Sequence, residues 1–79
     1  MKTYNEVKQE IIHSPNIVFS KRDVCGNKWL PWALNEQTLT RIYERGELPV
    51  IIIPCGSCSR WQIKKEDLLD YIKKNKRMF

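Results

Sequence analysis

The sequence predicts a small α+β domain of three to four short helices and a two-stranded β-hairpin. Three observations carry this. Asn35 to Pro49 reads as a capped helix with one apolar and one polar face, closed by Gly46. Val50 to Ile53 and Ser59 to Ile63 are β-prone runs around Pro54-Cys55-Gly56-Ser57-Cys58, which is turn chemistry. A second amphipathic run follows, with acids at its start and lysines at its end.

Thr3-x-x-Glu6 is a capping box, a reciprocal pair that satisfies free N–H groups at a helix start. Tyr4, Val7 and Ile11 fall on one face of that helix, which ends near His13 because Ser14-Pro15 disfavours continuation. Residues 1–15 form an accessory helix, placed to pack on the domain or to meet a protein partner.

Residues 16–73 form the main domain. Ile17-Val18-Phe19 reads as a short strand or an extended lead-in. Ser20-x-x-Asp23 repeats the capping arrangement, with Phe19 and Val24 as staple partners, so a short helix begins at Lys21 and ends at Gly26-Asn27. Lys21 and Arg22, in its first turn, suit phosphate oxygens, as does Lys28 just beyond it.

The link from Lys28 to Leu34 carries Trp29 and Trp32 around Pro31. Two large rings here suit a lid on a small core; the sharper readings are a stacking platform for unpaired bases or an anchor for a protein partner.

Asn35 is a good N-cap, and Leu34 and Leu39 are spaced as a hydrophobic staple, giving a helix from about Glu36 to Arg45. Leu39, Ile42 and Tyr43 form its apolar stripe, while Gln37, Thr40, Arg41 and Glu44 share another face. An amide, a hydroxyl and a guanidinium so arranged are the groups that read base edges in a major groove. Thr38 and Arg45 flank that set. A bare amphipathic helix with a solvated side would show the same pattern, so its neighbours decide the meaning.

The hairpin that follows is the wing of a winged helix. Ser57 and Ser59 at its tip and Arg60 on its returning strand can meet phosphates or a minor groove. Beyond it, Glu66 and Asp67 open a scaffold helix whose buried side is Leu68, Leu69 and Ile72. Lys73 and Lys74 close it. Residues 74–79 read as a basic tail, and Lys73, Lys74, Lys76 and Arg77 together make either a phosphate-binding arm or a solvated end.

Thr38-Leu39 with Arg41, then Gly46-Glu47-Leu48-Pro49, a hairpin, Arg60-Trp61-Gln62-Ile63, and Asp67-Leu68 with Tyr71-Ile72 form an ordered series. It resembles the excisionase-type winged helix-turn-helix domains, relatives of the MerR DNA-binding domain. The link between the two helices exceeds the usual tight turn, as in the lambda-type phage excisionases. The resemblance implies a recombination directionality factor of a phage or mobile element that binds and bends attachment-site DNA beside an integrase, with self-association along DNA possible. In that reading Gln37, Thr40 and Arg41 read bases, Arg45 and Lys21 or Arg22 hold phosphates, and Arg60 enters the neighbouring minor groove. A small transcriptional regulator would use the same scaffold. An accessory subunit that meets single-stranded DNA or a replication or recombination enzyme is the alternative from another class.

Fourteen Lys and Arg against nine Asp and Glu give a net charge of +5, which favours an anionic partner. Seventy-nine residues leave no room for a substrate pocket beside a regulatory domain. No apolar run approaches the roughly 20 residues of a spanning helix, so no membrane role is expected. Three cysteines, an odd number, suit a reducing cytoplasm.

Cys25, Cys55, Cys58 and His13 could in principle make a Cys₃His zinc site, but structural zinc sites usually offer two close ligand pairs, so three reduced thiols and no metal are expected. The single histidine, with no nucleophile elbow and no Walker-type loop, points to no enzyme and no cofactor.

Overall fold

In a computed structural model describing residues 2–79, the chain is a mixed α+β domain of winged-helix type. The elements are α1 (Tyr4–His13), β1 (Val18–Phe19), α2 (Lys21–Gly26), α3 (Glu36–Glu44), β2 (Ile51–Cys55), β3 (Cys58–Lys64) and α4 (Lys65–Lys74). A 3₁₀ turn, Lys76–Met78, follows α4.

Three helix starts are set by local side-chain bonds. The Glu6 N–H donates to Thr3 Oγ1 at 3.3 Å, and the Asp23 N–H donates to Ser20 Oγ at 3.2 Å while Ser20 N–H donates to Asp23 Oδ2 at 2.9 Å. Asn35 Oδ1 accepts from the Thr38 N–H at 2.8 Å, so each cap satisfies a donor the helix cannot. The staple expected of Leu34 and Leu39 is not buried: Ala33 turns inward, and Leu34 is left 54% exposed.

Both interior helix ends close in the same way. After α3, which ends one residue before the expected Arg45, Gly46 adopts φ +76°; its N–H donates to Tyr43 O and that of Glu47 to Ile42 O. After α2, the left-handed residue is neither Gly26 nor Asn27 but Lys28, at φ +55°. Its N–H donates to Cys25 O, and that of Trp29 to Val24 O. This closure turns Trp29 into the core beside Val24, which offsets the cost of a side chain in that conformation.

The sheet has strand order β1-β3-β2, so the Ile17 to Phe19 stretch contributes a third strand that pairs Val18 with Lys64 and Phe19 with Ile63. The hairpin strands run longer than expected. Pro54 and Cys55 belong to β2 and Cys58 to β3, leaving Gly56-Ser57 as a two-residue turn. Gly56, at φ +63°, supplies the positive angle that such turns need. β2 pairs only with β3, and this edge position is where a strand tolerates a proline.

Trp61 and Ile63 alternate into the core from β3 and belong to the same buried cluster as Val7, Ile11, Leu39, Ile42 and Leu68. In contrast Ile51, Ile52 and Ile53 are 40–45% exposed, because the edge strand projects past the helices. Helix α1 buries Val7 and Ile11 and packs on α4. Lys65 Nζ donates to the carbonyls of Ile12 (3.3 Å) and Ser14 (2.7 Å), tying the end of α1 to the start of α4.

Candidate nucleic-acid interface

The first turn of α2, the first residue of α3 and the returning strand of the hairpin converge on one open depression of about 420 Å³. Ser20, Lys21, Arg22, Glu36, Cys55, Cys58, Ser59, Arg60 and Trp61 line it. Three cations against one carboxylate make its rim basic.

Trp61 is the floor. The residue is 6% exposed, the Tyr43 ring of α3 meets its ring at 5.1 Å and 60°, and Lys21 Nζ stands 4.5 Å from the ring centroid. A cation over an indole face is attracted by the ring quadrupole, so Lys21 is held at the depression while keeping its charge available to an anion. Trp61 and Tyr43 therefore fix the wing against α3. Period-two patterning in the sequence marks Trp61 as inward, but the identity of its neighbours is a tertiary fact.

The α3 residues divide by what their polar groups already do. Gln37 and Arg41 are exposed and make no hydrogen bond or ion pair among the described residues. Thr40 Oγ1 donates to Glu36 O at 2.9 Å, and Thr38 Oγ1 donates to Asn35 Oδ1 at 2.9 Å, so both hydroxyl protons are engaged within the helix. Arg45 pairs with Glu47 at 3.1 Å on the surface, an exposed contact that a phosphate could replace at small cost.

The wing tip is bare from Cys55 to Arg60, which includes Ser57 and Ser59. Lys28 is exposed but lines a different depression, with Lys2, Pro31 and Leu34. The tail cations are also elsewhere. Lys73 and Lys74 end α4, Lys74 pairs with Asp70 at 3.2 Å, and Lys76 Nζ stands 5.0 Å over the Tyr4 ring. Residues 76–79 are folded back: Phe79 packs edge-on against Tyr4 (5.7 Å) and Trp32 (5.0 Å). Arg77 is exposed on that turn.

The tryptophan link is part of the core. Trp29 is 4% exposed and edge-on to Phe19 at 5.0 Å, and Trp32 Nε1 donates to Tyr71 Oη at 3.1 Å. A base-stacking platform needs an open ring face, which the Trp29 burial removes. Burial raises the Tyr71 pKa, opposed by the hydrogen bond from Trp32.

Cys25 is partly buried, with its Sγ 3.9 Å from Ala33 O, and its pKa is raised by burial first and by the Glu36 carboxylate second. His13 is exposed on α1 and bonded to Gln9 Oε1 at 3.0 Å. Among the described residues no three His, Cys, Asp or Glu side chains gather as metal ligands, and no helix is long and apolar enough to cross a membrane. Compared with family models, curated proteins and solved structures, the chain matches none.

Proposed function

We propose that this protein binds double-stranded DNA sequence-specifically, with no catalytic activity of its own. The observation that carries the reading is the bare side of α3, with Gln37 and Arg41 exposed, on a helix whose first residue, Glu36, lines a basic depression that joins α2 to an exposed wing. Gln37 and Arg41 read base edges, with Thr40 offering its methyl to a thymine; Lys21, Arg22 and Arg45 hold phosphates; Arg60, Ser57 and Ser59 follow the backbone or the minor groove. The ordered motif series further favours an excisionase of a phage or mobile element, acting in the cytoplasm beside an integrase that meets the same bent duplex.

Selection of bound fragments from a random duplex pool tests this directly. The expected result is one enriched sequence whose binding weakens steeply with salt. A pool that returns no preferred sequence, with equal binding to unpaired strands, would overturn the reading.

A further inference from the structure

The two-residue turn has a chemical consequence at the wing tip. The register sets Cys55 directly opposite Cys58, as the pair that flanks Gly56-Ser57. Directly opposed residues of an antiparallel ladder put their side chains on the same face, and their Cα atoms lie about 4.5–5.5 Å apart, within the span a disulfide bridges. Cys58 Sγ already reaches across the turn, 3.4 Å from the carbonyl oxygen of Cys55. Both residues are exposed. Both line the same open depression as Lys21, Arg22 and Arg60, so a small oxidant reaches them from solvent.

We infer that Cys55 and Cys58 form a reversible dithiol site at the wing tip, oxidised by hydroperoxides to an intramolecular disulfide. The Cys55 thiolate attacks the terminal oxygen of the hydroperoxide. The O–O bond breaks, the alcohol or water leaves with a proton, and Cys55 becomes a sulfenic acid. The Cys58 sulfur then attacks the Cys55 sulfur, the S–O bond breaks, and a water departs. In sum, two thiols and one hydroperoxide give one disulfide, one alcohol and one water; the sulfurs are oxidised and the peroxide bond is reduced. A thiol reductant reverses the step by exchange.

Cys25 takes no part. Its thiol is partly buried behind the α2 to α3 link, and burial disfavours the thiolate that oxidation requires. Closing the disulfide keeps the existing register, so the oxidised tip is a stiffer version of the same wing. On the DNA-binding reading above, from which the chemistry itself is independent, a stiffer tip loses less freedom on binding and leaves duplex more slowly.

The test treats the whole protein with hydrogen peroxide, alkylates the remaining thiols and maps tryptic peptides by mass. Trypsin leaves Cys55 and Cys58 on one peptide, between Arg45 and Arg60, and Cys25 on another. The expected product is a Cys55/Cys58 peptide lighter by two hydrogens that refuses alkylation and regains it after dithiothreitol, while Cys25 is alkylated throughout. Cys58→Ser should abolish that product, and Cys25→Ser should leave it unchanged. Linkages through Cys25, chain-to-chain dimers as the main product, or over-oxidised sulfinic acid without a disulfide would overturn the inference. If the disulfide forms but duplex dissociation is the same before and after reduction, the dithiol site stands and the wing's role in DNA binding falls.

Discussion

Lys21 and Trp61 meet across two elements that the chain separates by forty positions, with the ammonium 4.5 Å from the ring centroid. The contact joins α2 to the wing and points a cation into the basic depression. Replacing Lys21 with Ala is expected to weaken binding to all duplex sequences alike and to lower the log–log salt slope by about 0.9. Its effect on folding should be small, about 0.5–1 kcal/mol for a cation–π contact at a partly open site. A salt titration on specific and scrambled duplexes checks this; a loss confined to one sequence would reassign Lys21 to base reading.

Arg41 and Thr40 should separate in their effects. Arg41→Ala is expected to cost about 1–3 kcal/mol on the preferred duplex and to relax preference at one base pair. Thr40→Val keeps the methyl shape and removes a hydroxyl proton that Glu36 O already receives, so duplex affinity should change far less. Gel-shift titrations of both variants decide it, and equal losses would mean that Thr40 turns its hydroxyl to the DNA.

Lys28 occupies the left-handed region at φ +55°, where glycine carries no steric penalty. Lys28→Gly should stabilise the fold by about 1 kcal/mol, the net of relieved strain and added freedom in the unfolded chain. For a domain of this size that raises Tm by about 4–8 °C. Thermal unfolding measures it. A lowered Tm would show that the lysine stem packs on Pro31 or Leu34 more than the backbone angle costs.

Phe79 ties the end of the chain to Tyr4 and Trp32. Phe79→Ala should destabilise the domain by about 1–3 kcal/mol, from lost apolar burial and two edge-on ring contacts. Urea unfolding checks it, and an unchanged midpoint would restore the tail to the role of a free arm.

Tyr71 and Cys25 both have pKa values raised in the fold, chiefly by burial, from ordinary values of 10.0 and 9.0. A raised folded pKa contributes stability that is complete below the unfolded value and is lost as pH rises through the folded one. Stability should therefore fall as pH climbs past about 9 and fall further past about 10. Tyr71→Phe should flatten the upper part of that decline while lowering stability at neutral pH, because Trp32 Nε1 loses its acceptor. Urea midpoints across that range test both signs.

What the sequence determined by itself is where helices start and stop. Thr3, Ser20 and Asn35 cap as their residue types require, and Gly46 ends α3, because each such bond is made within five residues of chain. The hairpin was legible for the same reason, and so was the bare side of α3, since an amphipathic period separates its two faces without outside help. The tertiary structure alone decided what lies far apart in the chain. Pairing of Val18 with Lys64, the edge-on contact of Trp29 with Phe19, Lys21 over Trp61 and the outward Ile51 to Ile53 edge depend on how elements pack. Even the turn, read as five residues, shrank to two, because a strand continues for as long as its partner offers hydrogen bonds. Composition can mark a turn; only the paired strand says where it ends.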